Sequence, residues 1–217
     1  MQHQKLSFGD ADFHHKEISK QLGLNWLLLL SKNEILIWLK NWIRYPLVLG
    51  AVLPTQRFAS NIMASEISSK ISTVVELGAG TGQITKSIID KKLKHENLFL
   101  VEVNKEFSEI LKRKFPNANI YNEDAISFLD EFQTRFGKKI DIIVSGIPLV
   151  SLDKNTREKI CELSVENLSE NGKFFQITYF IRCSFPMSII KKFGLSKRLQ
   201  GFTPLNIPPA FIWKIYK

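Results

Sequence analysis

Residues 173–217 contain no Asp or Glu but eight Lys or Arg, so nearly all of the chain's net charge of +9 sits at its C-terminal end. That asymmetry makes an acidic binding face there untenable. It leaves an anionic partner, nucleic acid or an acidic membrane, or a solvated basic face. Cysteine is equally scarce. Cys161 and Cys183 are too few for a disulfide framework, and no CxxC or Cys/His spacing surrounds them. They read as reduced thiols of a cytosolic protein. The four histidines, His3, His14, His15 and His95, share no ligand spacing, so no metal site is expected. Long apolar runs are missing too: 22–30 is broken by Gly23 and Asn25, and nothing reaches the roughly 20 residues of a spanning helix. The first residues are polar, which argues against a signal peptide. No internal repeat or low-complexity tract appears.

What is present centres on Val74-Val75-Glu76-Leu77-Gly78-Ala79-Gly80-Thr81-Gly82, an apolar strand-like run entering a glycine-dense turn. Glycine suits such a turn because positive φ angles and close backbone approach exclude side chains. The spacing is GxGxG rather than the GxGxxG usual for dinucleotides. Glu76 at the strand end suits a ligand bearing an ammonium group, such as the methionine end of S-adenosylmethionine. From Gly80, 22 residues lead to Leu98-Phe99-Leu100-Val101-Glu102-Val103, a second strand ending in an acid. Glu102 is the expected acceptor for ribose hydroxyls. A third strand feeds Asn122-Glu123-Asp124-Ala125, where Asp124 suits the adenine amine and also a helix N-cap. The expected cofactor set is Glu76, Gly78, Ala79, Gly80, Thr81, Gly82, Glu102, Val103, Asp124, Ala125 and Ser145.

The organisation is α/β. Strands are expected at 71–77, 97–103, 118–122, 139–145 and 173–180, with helices at 56–69, 82–92, 104–115, 125–136 and 153–169. A short helix at 186–193 and two β-like runs, 197–203 and 210–216, complete a Rossmann-like, mostly parallel seven-stranded sheet with helices on both faces. Residues 1–54 form a separate helical extension ahead of the domain 55–217. In that extension Trp26, Trp38 and Trp42 accompany Lys32, Lys40 and Arg44. This pattern fits an interfacial membrane helix, and equally a helix packed on a core.

The fourth strand ends in Val144-Ser145-Gly146-Ile147-Pro148-Leu149. Methyltransferases acting on adenine amines carry Asn-Pro-Pro-Tyr or Asn-Leu-Pro-Tyr here, pairing an amine acceptor with a stacking ring. Gly146 and Leu149 supply neither. This makes nucleic acid the less favoured substrate, although the surrounding sequence looks related to the rRNA adenine dimethyltransferases.

The chain resembles the bacterial phospholipid N-methyltransferases, which convert phosphatidylethanolamine towards phosphatidylcholine. The resemblance covers most of the chain. It rests on Asn41-Trp42-Ile43-Arg44-Tyr45-Pro46 and Gly50-Ala51-Val52-Leu53-Pro54-Thr55 with Arg57, on the glycine turn, on Ser145-Gly146-Ile147-Pro148-Leu149, and on Asn206-Ile207-Pro208-Pro209-Ala210. Ala79 stands where members of that family often carry proline. The resemblance implies an S-adenosylmethionine-dependent enzyme, and no stable protein partner is implied. It would be cytoplasmic and peripherally bound to the anionic inner face of the cell membrane through its N-terminal helix. Ser145, Gly146 and the hydroxyl of Tyr179 are the candidate catalytic groups, as acceptors near the substrate amine.

Overall fold

The computed structural model describes residues 56–204 and 209–217. The extension 1–54, with Trp26, Lys32, Trp38, Lys40, Trp42 and Arg44, lies outside the described residues, as do Asn206, Ile207 and Pro208.

The chain alternates α1 (Gln56–Met63), β1 (Val74–Leu77), α2 (Gln83–Ile89), β2 (Leu98–Val101), α3 (Lys105–Lys114), β3 (Asn119–Tyr121), α4 (Ala125–Phe136) and β4 (Ile140–Ser145). It continues through α5 (Lys154–Asn167), β5 (Leu168–Thr178), α6 (Met187–Lys192), β6 (Ser196–Thr203) and β7 (Ala210–Tyr216). The strands form one seven-stranded sheet in the order β3-β2-β1-β4-β5-β7-β6. β7 alone runs antiparallel, between β5 and β6. This is the expected Rossmann-like architecture.

Helices cover both faces because the strands are apolar on both. Val75, Leu77 and Ile143 face one core with Phe128, Phe132 and Ile160, whereas Val74, Ile142 and Val144 face another with Met63, Ile88 and Leu111. The switch between faces follows the two-residue period of a strand.

Two elements depart most from the sequence reading, α1 and β5. α1 ends at Met63 rather than running to 69, and the chain after it is fastened by Glu66, whose carboxylate meets Lys173 and Lys214 at 2.7 Å each. β5 begins at Leu168, five positions early. Leu168 pairs with Ile140, after which the register jumps to Ile142–Lys173, so the polar run 169–172 bulges out of the strand instead of preceding it. The strand also stops at Thr178, leaving Tyr179 in the following loop.

Strand order reverses between β1 and β4, whose neighbours lie on opposite sides. In an open parallel sheet a crevice forms outside the carboxyl ends of the strands at that point.

Candidate functional site

A cavity of about 560 Å³ occupies this crevice. One side is built by the glycine turn after β1 and by the ends of β2 and β3. Gly78, Ala79, Gly80, Thr81, Glu102, Val103, Asp124 and Ala125 all line it. The turn is closed by its own backbone: Gly78 and Ala79 both donate to the Val101 carbonyl, at 2.9 and 3.2 Å. Gly80 then donates to Glu102 Oε2 at 2.8 Å, while Asn104 N donates to Oε1 at 2.8 Å. Glu102 thereby ties two loops together and still presents acceptor lone pairs to the cavity. Burial pushes its carboxyl up, and the two backbone donors oppose that rise.

Gly80 has φ +55°, and the position of a Cβ there opens into empty space. The backbone is therefore bared towards the cavity as a cradle. Asp124 caps α4, accepting from Ile126 N at 2.9 Å and Ser127 N at 3.1 Å. The Ser127 hydroxyl and these amides hold its carboxyl below the usual range. Capping and cavity lining coexist in this one residue.

Glu76, Gly82 and Ser145 stand behind the wall rather than on it. These three positions do not line the cavity, for separate reasons. Glu76 is fully buried within β1, where its Oε2 accepts from Thr85 Oγ1 at 2.7 Å and its Oε1 has no partner among the described residues. Burial raises its pKa to about 8, with the Glu102 charge adding to the rise and Thr85 opposing it. Gly82 begins α2 with φ +87° and faces Phe115, whose ring carbon lies 2.4 Å from a Cβ placed there. Ser145 is buried in β4.

The other side of the cavity is apolar. Ala59 and Met63 of α1, then Ile147, Pro148, Leu152, Ile160 and Ile177 supply it, with Ser60, Thr156 and Tyr179 as its hydroxyls. No carboxylate stands among these residues. Gly146 lines the cavity at the switch point, where its N donates to the Leu77 carbonyl at 2.8 Å and a Cβ would come within 2.7 Å of the Gly78 carbonyl. The fold thus excludes an asparagine-type amine acceptor at this position unless the two loops separate. Leu149 turns away into the core. Tyr179 is also constrained, because burial raises its phenol pKa to about 12. At neutral pH it is a neutral phenol, whose oxygen can still accept a hydrogen bond from an amine in the cavity.

Two supporting residues escaped sequence reading. Gln176 of β5 donates through Nε2 to the Ile147 carbonyl at 2.9 Å and to the Ile177 carbonyl at 2.6 Å, fixing the Gly146–Pro148 loop from behind. Its signal was one amide inside the otherwise apolar run 174–177. Thr85 carried no signal, because its partner Glu76 belongs to a different element.

The C-terminal cations are partly committed: Lys173 and Lys214 to Glu66, and Lys192 to Glu162. Among the described residues no helix is long and apolar enough to cross a membrane.

Sheet order, glycine turn and acid-ended strands together define the class: a Rossmann-like methyltransferase that uses S-adenosylmethionine. Residues 56–197 match the model of the methyltransferase small domain, and the chain belongs to that family. Among curated proteins it is similar to an ornithine lipid N-methyltransferase of Singulisphaera acidiphila, 26% identical over 181 residues, covering 82% of this chain and 93% of that protein. Among solved structures, the fold is similar to the 1,6-didemethyltoxoflavin-N1-methyltransferase of Burkholderia thailandensis, solved with S-adenosylhomocysteine. That match has a TM-score of 0.60 at 10% identity and covers 87% of this chain and 91% of the other. It is also similar to the magnesium protoporphyrin IX methyltransferase of Synechocystis, solved with bound S-adenosylmethionine, with a TM-score of 0.57, 10% identity and coverage of 75% and 80%.

Proposed function

We propose that this protein transfers methyl groups from S-adenosylmethionine to the primary amine of a membrane lipid head group, with phosphatidylethanolamine as the substrate and phosphatidylcholine as the direction of the pathway. The observation that carries this reading is the apolar, carboxylate-free acceptor side of the cavity, built on a Gly146 that has no room for a side chain. The lipid-directed relative supports it. That alignment takes in 82% of the chain, more than residues 56–217 can supply, so it includes part of the N-terminal extension.

S-adenosylmethionine, when bound, supplies an electrophilic methyl group on sulfur. Gly80, Glu102 and Asp124 would hold it: the bared turn takes close backbone approach, Glu102 accepts from ribose hydroxyls, and Asp124 accepts from the adenine amine. The chain's own contribution to chemistry is to deliver a neutral amine in line. A primary alkyl amine has a pKa around 10, so at neutral pH it arrives as ammonium. A carboxylate beside it would preserve that charge, whereas an apolar wall favours the neutral form. Ile147, Pro148, Leu152, Ile160 and Ile177 provide such a wall, and no base is needed if the proton leaves before the amine is fully enclosed. Backbone carbonyls of the Ser145–Gly146 segment orient the remaining N–H groups, and orientation alone accounts for a large part of such a rate.

The anionic inner face of the cell membrane is the proposed site of action, reached through the aromatic and cationic residues of the extension. Incubation with methyl-labelled S-adenosylmethionine and, separately, phosphatidylethanolamine vesicles, ornithine lipid vesicles and rRNA tests the proposal. Label in phosphatidylethanolamine is the expected result. Label in ornithine lipid alone would move the substrate within the lipid class, and label in rRNA alone would overturn the reading.

A further inference from the structure

A second concavity lies directly behind the cavity's wall. α1 divides the two: Ala59, Ser60 and Met63 face the cavity, while Phe58, Asn61 and Ile62 face a groove of about 420 Å³ whose far side is Phe202, Thr203 and Pro204. Phe58 and Phe202 remain 58% and 44% exposed, a large apolar area to leave against water. The helix is pressed close to β6 at this point, since a Cβ at Gly201 would lie 2.9 Å from the Ile62 side chain. The groove is therefore a built feature of the α1–β6 contact.

We infer that this groove seats an acyl chain of the lipid whose amine enters the cavity, with the lipid straddling α1. The inference rests on the lipid-directed reading above and names where the rest of that substrate goes. Three observations support it. The groove's exposed surface is mainly the apolar area of Phe58, Ile62, Phe202 and Pro204, with Asn61, Ser65, Gln200 and Thr203 between them, and it shares α1 with the cavity, so one molecule can reach both. The segments that build it, residues 56–65 and 196–204, contain no Asp or Glu, while Arg57 and Arg198 are exposed on them, a charge pattern suited to the phosphate of an anionic or zwitterionic lipid surface. The third is a buried donor. Thr203 is 4% exposed, and its Oγ1 has no hydrogen-bond partner among the described residues. A buried hydroxyl without a partner is costly, and an acyl carbonyl at the mouth of the groove would satisfy it.

The test uses full-length protein with dihexanoyl and dioctanoyl phosphatidylethanolamine below their micelle concentrations, and with glycerophosphoethanolamine, which has no acyl chain. KM of the wild type is expected to fall as the chain lengthens. Phe58→Asp and Phe202→Asp place a carboxylate in the groove and should raise KM for the dioctanoyl lipid about tenfold with kcat retained. The variant-to-wild-type ratio should shrink as the chain shortens. Thr203→Val should weaken binding of acylated substrates, and Thr203→Ser should restore it. S-adenosylhomocysteine binding by calorimetry reports that each variant is folded. A chain-length dependence that survives in both Asp variants overturns the inference. So does one abolished by deleting residues 1–45 but kept by the groove variants, because the extension would then be what holds the acyl chain. Absence of transfer from the wild type to any of these amines brings down the lipid-directed reading itself, a result distinct from either.

Discussion

Glu76 shows how one buried carboxyl makes the fold sensitive to pH. The folded protein holds its proton up to about 8, whereas an exposed carboxyl releases it near 4.5. Between those values the unfolded chain binds fewer protons than the folded one, so stability falls as pH rises through that window and levels off above it. The ligand-free protein should lose stability across this range in urea titrations. Glu76→Gln, which keeps the shape without the charge, should flatten most of that slope, with Glu102 contributing the remainder in the same direction. Tyr179→Phe makes a complementary prediction. With a phenol pKa raised to about 12, Tyr179 holds its proton throughout neutral pH, so removing the hydroxyl should lower kcat only several-fold and leave the pH profile of kcat in place. A profile whose limb disappeared in that variant would make Tyr179 the base. At this scale the sequence is readable where a residue type and its position coincide: Glu102 ends a strand 22 residues after Gly80 and does meet that turn. Glu76 was legible as important but not in its placement, because strand alternation and packing by other elements decide which end of a carboxylate meets a cavity.

At the scale of elements, the glycine turn separates two demands that look alike in sequence. Gly80 and Gly82 both have positive φ, yet a side chain at Gly80 meets open space and one at Gly82 meets Phe115. Gly80→Ala should cost about 1–2 kcal/mol from backbone strain alone and weaken cofactor binding by filling the cradle. Gly82→Ala adds displacement of a ring between α2 and α3, a further 1–3 kcal/mol or so of overpacking, and should lower thermal stability more than Gly80→Ala. Melting curves and S-adenosylhomocysteine titrations on both variants check the ordering. Element types were legible because apolar periodicity and caps agree, as at Asp124 and Asn104, which cap α4 and α3. Boundaries were not. Ser169, Glu170, Asn171 and Gly172 have turn chemistry, but the pairing of Leu168 with Ile140 captures that segment into β5 as a bulge. A local propensity was overridden by a partner 28 residues away.

Across the whole molecule, topology does more than any single side chain to place function. The reversal of strand order between β1 and β4 brings Gly78 and Gly146 into contact across the crevice, and their mutual lack of side chains shapes the acceptor side. That contact joins residues 68 positions apart, so the sequence marked both glycines without revealing that they meet. The sequence reading placed a cofactor half and an acceptor half on opposite rims, and residues of both sets, Gly80, Glu102 and Asp124 with Gly146 and Tyr179, line one cavity. What it could not reveal was the groove behind α1, since helix faces acquire meaning only when the sheet they cover is known. The extension 1–54 belongs to this scale as well. If it anchors the enzyme, deletion of residues 1–45 should abolish co-sedimentation with anionic vesicles while leaving S-adenosylhomocysteine binding intact, and added salt should weaken binding of the full chain.

The central claim is that the cavity methylates a lipid amine. Mass spectrometry of phosphatidylethanolamine vesicles after incubation with the full-length protein and S-adenosylmethionine tests it most directly. The account predicts successive single-methyl mass increments confined to the ethanolamine head group. A head group of unchanged mass, with methyl groups appearing instead on adenine in rRNA treated in parallel, would contradict it.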